Sequence, residues 1–284
     1  MSTVFELIQA GDTFLKERGL EDARISSEWL LAHLLGKSRA ELYVESAEVL
    51  SEEKKNWFFD LIEKRAAHYP VQYLIGEVSF RKISLNVKPG VLIPRPETEI
   101  LVDVVLNRLR EFGEKKPVKI LDIGTGTGCL AISFAREIEN ALVTATDVSE
   151  MCTDLACANA IRNGAEKKIS FKNTNLWDQV EGPFDIVASN PPYLSKKDLS
   201  ELMPEVQYEP VLALDGGETG LNFYRRIIEN VSSVLAPNGF LVFEVGLGQS
   251  KMVRELLNRN GFGNIEITKD LTEIERIVSA KLIQ

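Results

Sequence analysis

Cysteine and histidine are both scarce in this chain, which has three of the first and two of the second in 284 residues. The thiols, Cys129, Cys152 and Cys157, make no Cys-x-x-Cys pair and cannot close an even disulfide framework, so a reducing compartment is expected. The histidines, His33 and His68, lie in helix-patterned segments far from the glycine-rich stretches. Neither a histidine zinc site nor a Ser-His-Asp triad assembles readily from them. Long apolar runs and a secretory leader are missing too, and the expectation is a cytoplasmic protein. Bases are outnumbered, 33 Lys and Arg against 42 Asp and Glu, and the net charge of -9 disfavours broad attraction to phosphate backbones. Repeats and low-complexity segments are absent. What remains is a chain 44% hydrophobic, long enough for one sizeable α/β domain and a smaller one.

Apolar residues recur at helical spacing from Thr3 to about Tyr69: Val4, Leu7 and Ile8, then Trp29, Leu30 and Leu34, then Trp57, Phe58, Leu61 and Ile62. This predicts a helical domain over residues 1–75, with Ser51 marking a helix start and Pro70 a helix stop. Partial alternation of Phe80, Ile83, Leu85 and Val87 predicts a β-hairpin, and with the stiff "KPGVLIPRP" it forms a linker over residues 76–95. "PETE" then opens an amphipathic helix with acidic residues where the helix dipole favours them. From Val118 the patterns alternate: strand "VKILDIG", helix "CLAISFAREI", strand "ALVTATDV", a helix closed by Gly164, then strands "ISFKNT", "FDIVASN" and "GFLVFEVG". "NIEITKD" and "ERIVSAKLI" add a final antiparallel pair. The prediction for residues 96–284 is a Rossmann-like, doubly wound α/β fold with a mostly parallel, seven-stranded sheet and ligands at the strand C-termini.

"LDIGTGTGC" puts Gly124, Thr125, Gly126, Thr127 and Gly128 on the first strand-to-helix turn, where missing Cβ atoms let a ligand approach the backbone. The GxGxG spacing differs from the GxGxxG of pyrophosphate sites and suits the uncharged flank of a nucleoside better. Asp147 ends the second strand roughly 20 residues later, where a carboxylate can accept both hydroxyls of an adenosine ribose. Its bland alternative is a helix cap shared with Ser149. In "SNPPYL", Asn190 sits at the tip of the fourth strand, and its side-chain carbonyl with that of the Pro191 backbone makes two neighbouring acceptors. Two acceptors can hold a planar NH₂ group, over which the Tyr193 ring could stack. The alternative is a turn that merely terminates a strand.

"LDIGTGTG", Asp147 and "NPPY" together resemble Rossmann-like methyltransferases acting on amide or exocyclic nitrogen. "PVQYLIGEVSF", "VLIPRPETEILVD", "EVQYEPVLALDGGETGLNFYRRI" and "GFLVFEVGLGQ" narrow the resemblance to the release factor glutamine methyltransferases, the PrmC/HemK family. That resemblance implies methyl transfer from S-adenosyl-L-methionine, leaving S-adenosyl-L-homocysteine and needing no metal. The acceptor would be the side-chain N5 of the glutamine in the Gly-Gly-Gln loop of bacterial class 1 release factors. It further implies that Gly124 to Gly128, Asp147, Trp177 and Asn190 surround the cofactor. Asn190, Pro191 and Tyr193 would carry catalysis, and these three with Pro192, Arg95 and Glu97 would hold the substrate. Trp177 could equally be a core or rim aromatic, and Arg95-Pro96-Glu97 a stiff hinge. Glu209, Pro210, Gly216 and Gly217 would shape a loop beside the pocket. A monomer that meets neither membrane nor nucleic acid is expected, with the helices gripping the release factor. A flipped adenine in DNA is the competing substrate for "NPPY".

Overall fold

The computed structural model describes residues 2–110 and 117–283. They form two compact units, Met1–Glu77 with Met203–Tyr208, and Val78–Leu202 with Glu209–Gln284.

The smaller unit contains β1 (Ser2–Thr3), α1 (Val4–Lys16), α2 (Ala23–Leu35), α3 (Arg39–Val44), β2 (Val49–Leu50), α4 (Glu52–Ala66) and α5 (Val71–Ile75). Leu7, Ile8, Leu15, Leu30, Leu31, Phe58 and Ile62 pack together as its core. Ser51 caps α4, its hydroxyl accepting from the Lys54 N–H at 3.3 Å. Pro70 does not act as the expected stop. The helix ends at Ala66, His68 turns the chain at φ 61°, and Pro70 is the cap from which α5 begins. A first helical turn has no use for the donor that proline lacks. Residues 203–208 belong to this unit through polar and ring contacts. The buried Arg65 donates from Nη2 to Asp22 Oδ1 at 2.9 Å and to Glu205 Oε1 at 2.6 Å. The Tyr208 hydroxyl donates to the Ala67 carbonyl at 2.9 Å, and its ring meets that of Tyr69 edge-on.

In the rest of the chain, β3 (Glu77–Phe80) and β4 (Ile83–Asn86) pair as a two-stranded sheet. Asn159 and Asn163, one helical turn apart, hydrogen-bond to the Asn86 and Ser84 backbones of β4. Next come α6 (Thr98–Leu109), β5 (Val118–Ile123), α7 (Cys129–Glu137), β6 (Ala141–Asp147), α8 (Glu150–Arg162), β7 (Ile169–Asn173), β8 (Phe184–Ser189), α9 (Lys196–Ser200), α10 (Asn222–Asn230), β9 (Leu235–Glu244), α11 (Ser250–Arg259), β10 (Phe262–Lys269) and β11 (Glu275–Leu282).

The seven-stranded sheet runs β10-β11-β9-β8-β5-β6-β7. Strands β5 to β9 are parallel, and β11 is antiparallel to both neighbours, as the pattern predicts. Strand residues alternate between its faces. Ile120, Ile186 and Phe240 join α6, α7 and α8 in one core, while Leu121, Val187 and Leu241 join α10 and α11 in the other. The chain reverses its winding at β5, whose Ile123 lies beside Thr146 on one side and Ser189 on the other. The residues that follow each, Gly124, Asp147 and Asn190, therefore meet in the crevice of a topological switch point.

Candidate active site

Above this crevice lies an open cavity. Gly124, Thr125, Gly126, Thr127, Asp147, Asn190, Pro191, Pro192 and Arg95, all singled out in the sequence, line it. Gly128, Trp177, Tyr193 and Glu97 are not on the wall. Gly128 serves helix packing: a Cβ there would lie 3.0 Å from the Ala156 Cβ of α8, and its φ is 85°. Trp177 and Leu176 both pack, half-buried, against the α10 and α11 core, and of the two only Leu176, at φ 53°, also lines the wall. Glu97 is the N-terminal cap position of α6. Thr98, Ser149, Cys152, Leu212 and Phe223 line the cavity without having been singled out in the sequence.

The glycine turn explains which ligand it suits. The N–H groups of Gly124 and Thr125 both donate to the Thr146 carbonyl, at 2.8 and 2.9 Å, and that of Gly126 donates to Asp147 Oδ2 at 2.9 Å. Three successive donors that a phosphate site would offer to its ligand are thus engaged within the protein, beside a carboxylate. The other Asp147 oxygen, Oδ1, accepts from the Ser149 N–H at 2.9 Å. A carboxylate offers about four lone-pair sites, so Asp147 can take hydroxyl donors besides these two N–H groups. Burial raises the pKa of this carboxyl, against the hydrogen bonds from the Ser149 and Gly126 N–H groups. A Cβ built on Gly124 or Gly126 would meet nothing within 4 Å. The donor set fits a neutral diol such as the ribose of an adenosyl group, with open space above it.

At the tip of β8, Asn190 Nδ2 donates to Thr98 Oγ1 at 3.3 Å. With the NH₂ directed there, the amide oxygen is left to accept from a ligand. The following residues are pinned: Gln249 Nε2 donates to the Tyr193 carbonyl at 2.8 Å, and Leu194 exchanges backbone bonds with Leu214 and Gly216. The glycines of "DGGETGL" and "EVGLGQ" make room for Tyr193. A Cβ on Gly216, Gly220 or Gly246 would fall 2.8 Å from its Cα, 2.2 Å from its carbonyl oxygen or 2.9 Å from its ring. The Tyr193 ring itself packs against the α10 and α11 core. Its hydroxyl reaches Glu244 Oε1 at 3.5 Å, and burial raises its pKa, so it is neutral at physiological pH. Tyr193 thus braces the turn from below instead of presenting a ring face to the cavity.

Glu209 ties two of the sequence motifs together. It is buried, accepts from the Ile93 N–H at 3.1 Å and pairs with Arg95, which joins "YEP" to "IPRPE". Pro210, Leu212 and Ala213, just beyond it, line the cavity.

Asp122, at the end of β5, accepts from Thr125 Oγ1 at 2.7 Å, while its Oδ1 is buried with no hydrogen-bond partner. Burial pushes its pKa up to about 7. The folded chain therefore holds a proton that the unfolded chain releases near pH 4. Stability contributed by that proton is complete below about pH 4 and is lost as pH rises through about 7, beyond which the curve is flat. In thermal melts of the cofactor-free protein, the midpoint falls by several degrees between pH 5 and 8, and Asp122→Asn makes that slope shallower, leaving the share of Glu244, whose carboxyl burial raises to the same range. An equal slope in the variant would assign it to other groups.

Among the described residues, no helix is long and apolar enough to cross a membrane, and no cluster of three or more His, Cys, Asp or Glu could hold a metal ion. Residues 6–76 match the family model described as the PrmC N-terminal domain, and residues 97–206 match the methyltransferase small domain. The chain is 37% identical to a release factor glutamine methyltransferase of Geobacter sulfurreducens over 271 residues, covering 95% of this chain and 93% of the relative. It is 38% identical to the protein of the same description from Thermodesulfovibrio yellowstonii over 250 residues, covering 88% and 89%. Among solved structures, the N-terminal domain of human METTL16 in complex with SAH superposes with a TM-score of 0.52 at 20% identity, covering 71% of this chain and 76% of that one. This last likeness is one of fold.

Proposed function

The chain belongs to the release factor glutamine methyltransferases, and we propose that it moves the methyl group of S-adenosylmethionine onto the side-chain N5 of the glutamine in the Gly-Gly-Gln motif of bacterial class 1 release factors. The observation that carries the reading is Asn190. It stands on the wall of the same cavity as the glycine turn and Asp147, with its NH₂ engaged by Thr98 and its carbonyl left to accept.

S-adenosylmethionine supplies, when bound, an electrophilic methyl group on a positively charged sulfur. Asp147 and the open glycine turn would hold its adenosyl part, and Asn190 would stand where cofactor and substrate meet. A carboxamide nitrogen attacks poorly because its lone pair is delocalised into the carbonyl. Asn190 Oδ1 and the Pro191 carbonyl accept its two N–H groups, which holds the nitrogen in place and stabilises the positive charge that develops on it as the methyl arrives. Each such contact contributes about 1.5–3 kcal/mol, and alignment of the reacting atoms about 7 kcal/mol or more. Pro191 and Pro192 add rigidity without adding donors. No strong base is required, because the nitrogen becomes acidic only as the methyl arrives, and the neutral Tyr193 is not one.

We assign the chemistry to the methyltransferase domain and the grip on the release factor to the helical residues 1–75, in a cytoplasmic monomer. Adenine in duplex DNA would need a basic path that a net charge of -9 does not favour. The test is transfer of labelled methyl from S-adenosylmethionine to purified release factor and duplex DNA offered together. Label in the protein alone is expected; label in DNA alone overturns the substrate assignment and leaves the cofactor assignment standing.

A further inference from the structure

We propose that Thr98 and Glu244 are positioning residues, a hydrogen-bond relay that fixes the amide of Asn190 with its carbonyl, and not its NH₂, toward the reacting nitrogen. The inference rests on the function proposed above and names residues that neither the glycine turn nor "NPPY" signals.

An asparagine amide is nearly symmetrical in shape, and the two orientations differ only in which end donates. A flipped Asn190 would point two donors at the NH₂ of the substrate, the reverse of what the reaction needs. Something must therefore discriminate between the ends. Thr98 Oγ1 lies 3.3 Å from Asn190 Nδ2 and 2.6 Å from Glu244 Oε2. Its hydroxyl has a single proton. An ionised Glu244 can only accept, so that proton goes to the carboxylate, and toward Asn190 the Thr98 oxygen can only accept. The chain of donors then runs one way, from Asn190 through Thr98 to Glu244. Thr98 and Glu244 are each 2% exposed, so water does not compete for either contact.

Several groups face Glu244. Thr98 and Glu97 come from the start of α6, Tyr193 from the "NPPY" turn, Arg276 from β11 and Cys129 from the start of α7. The Tyr224 hydroxyl of α10 donates to its backbone carbonyl at 3.0 Å. Arg276 and the bonds from Thr98 and Tyr193 favour the ionised form, while Glu97 and above all burial oppose it, leaving the pKa at about 7. Once protonated, Glu244 can donate to Thr98, which frees the Thr98 proton for Asn190 and lets the amide turn over. Turnover should therefore fall on the acid side of about pH 7.

The experiment is steady-state methylation of purified release factor across pH 6 to 8.5, with S-adenosylmethionine affinity measured separately by calorimetry. Thr98→Val, close in shape but without the oxygen, lowers kcat about 10-fold or more, with cofactor affinity within about two-fold of wild type. Thr98→Ser restores most of the rate. Glu244→Gln removes the acid limb of the kcat profile, which a merely structural residue would leave in place. A Thr98→Val enzyme with wild-type kcat, or a Glu244→Gln enzyme that keeps the acid limb, overturns the relay. If Glu244→Gln fails to fold, judged by loss of cofactor binding, the Thr98 pair decides alone. A wild-type protein that binds S-adenosylmethionine but does not methylate release factor overturns the function itself, a result distinct from a working enzyme indifferent to Thr98.

Discussion

Replacing Asn190 by alanine lowers turnover about 100-fold or more while S-adenosylmethionine affinity changes only modestly. The split follows from where the side chain acts. In the proposed reaction Asn190 would accept from a nitrogen whose positive charge exists only as the methyl is transferred, so its contribution would be largest in the transition state. Ground-state holding of the cofactor would fall to the glycine turn at the end of β5 and to Asp147 on the neighbouring β6. Steady-state rates with release factor, set against calorimetric titration of S-adenosylmethionine, separate the two effects. Equal losses in rate and cofactor affinity would make Asn190 a cofactor ligand first. An unchanged rate would remove it from the mechanism.

Replacing Asp147 by alanine gives the complementary result. Cofactor affinity falls by about 2–4 kcal/mol, and the rate at saturating cofactor is largely retained. The carboxylate would accept two ribose hydroxyls while continuing to hold the Gly126 and Ser149 N–H groups at 2.9 Å each. Part of the loss therefore comes through the turn that Asp147 organises. Asp147→Asn keeps a carbonyl for one of these partners and should fall between wild type and alanine. Unaltered calorimetric affinity in the alanine variant would place the ribose elsewhere.

The contrast between these residues and the relay shows what a sequence can reveal. Gly124, Asp147 and Asn190 are legible because each stands at or just past the end of a strand whose apolar run is plain, and parallel strands in a doubly wound sheet bring their ends to one edge. Which neighbour of a pair turns inward is not legible. Leu176 and Trp177 both pack against the α10 and α11 core but only Leu176 also reaches the wall, and leucine carries no signal for its φ of 53°. The "NPPY" run suggests a ring over the substrate but carries no information about the three glycines, at 216, 220 and 246, whose missing Cβ atoms make room for Tyr193. Thr98 and Glu244 are 146 residues apart, and each alone looks ordinary, one a first-turn threonine and the other the last residue of a buried strand. The return of residues 203–208 to the helical unit is equally silent, since an ion pair such as Arg65 with Glu205 leaves no periodicity behind.

The central claim is that the two acceptors at the end of β8 serve a glutamine amide. The most direct measurement is tandem mass spectrometry of the Gly-Gly-Gln peptide from purified release factor, after incubation with this enzyme and S-adenosylmethionine. The account predicts one added methyl on the glutamine side-chain nitrogen, absent when the enzyme is Asn190→Ala. A methyl on any other residue, or an equal yield from Asn190→Ala, would contradict it.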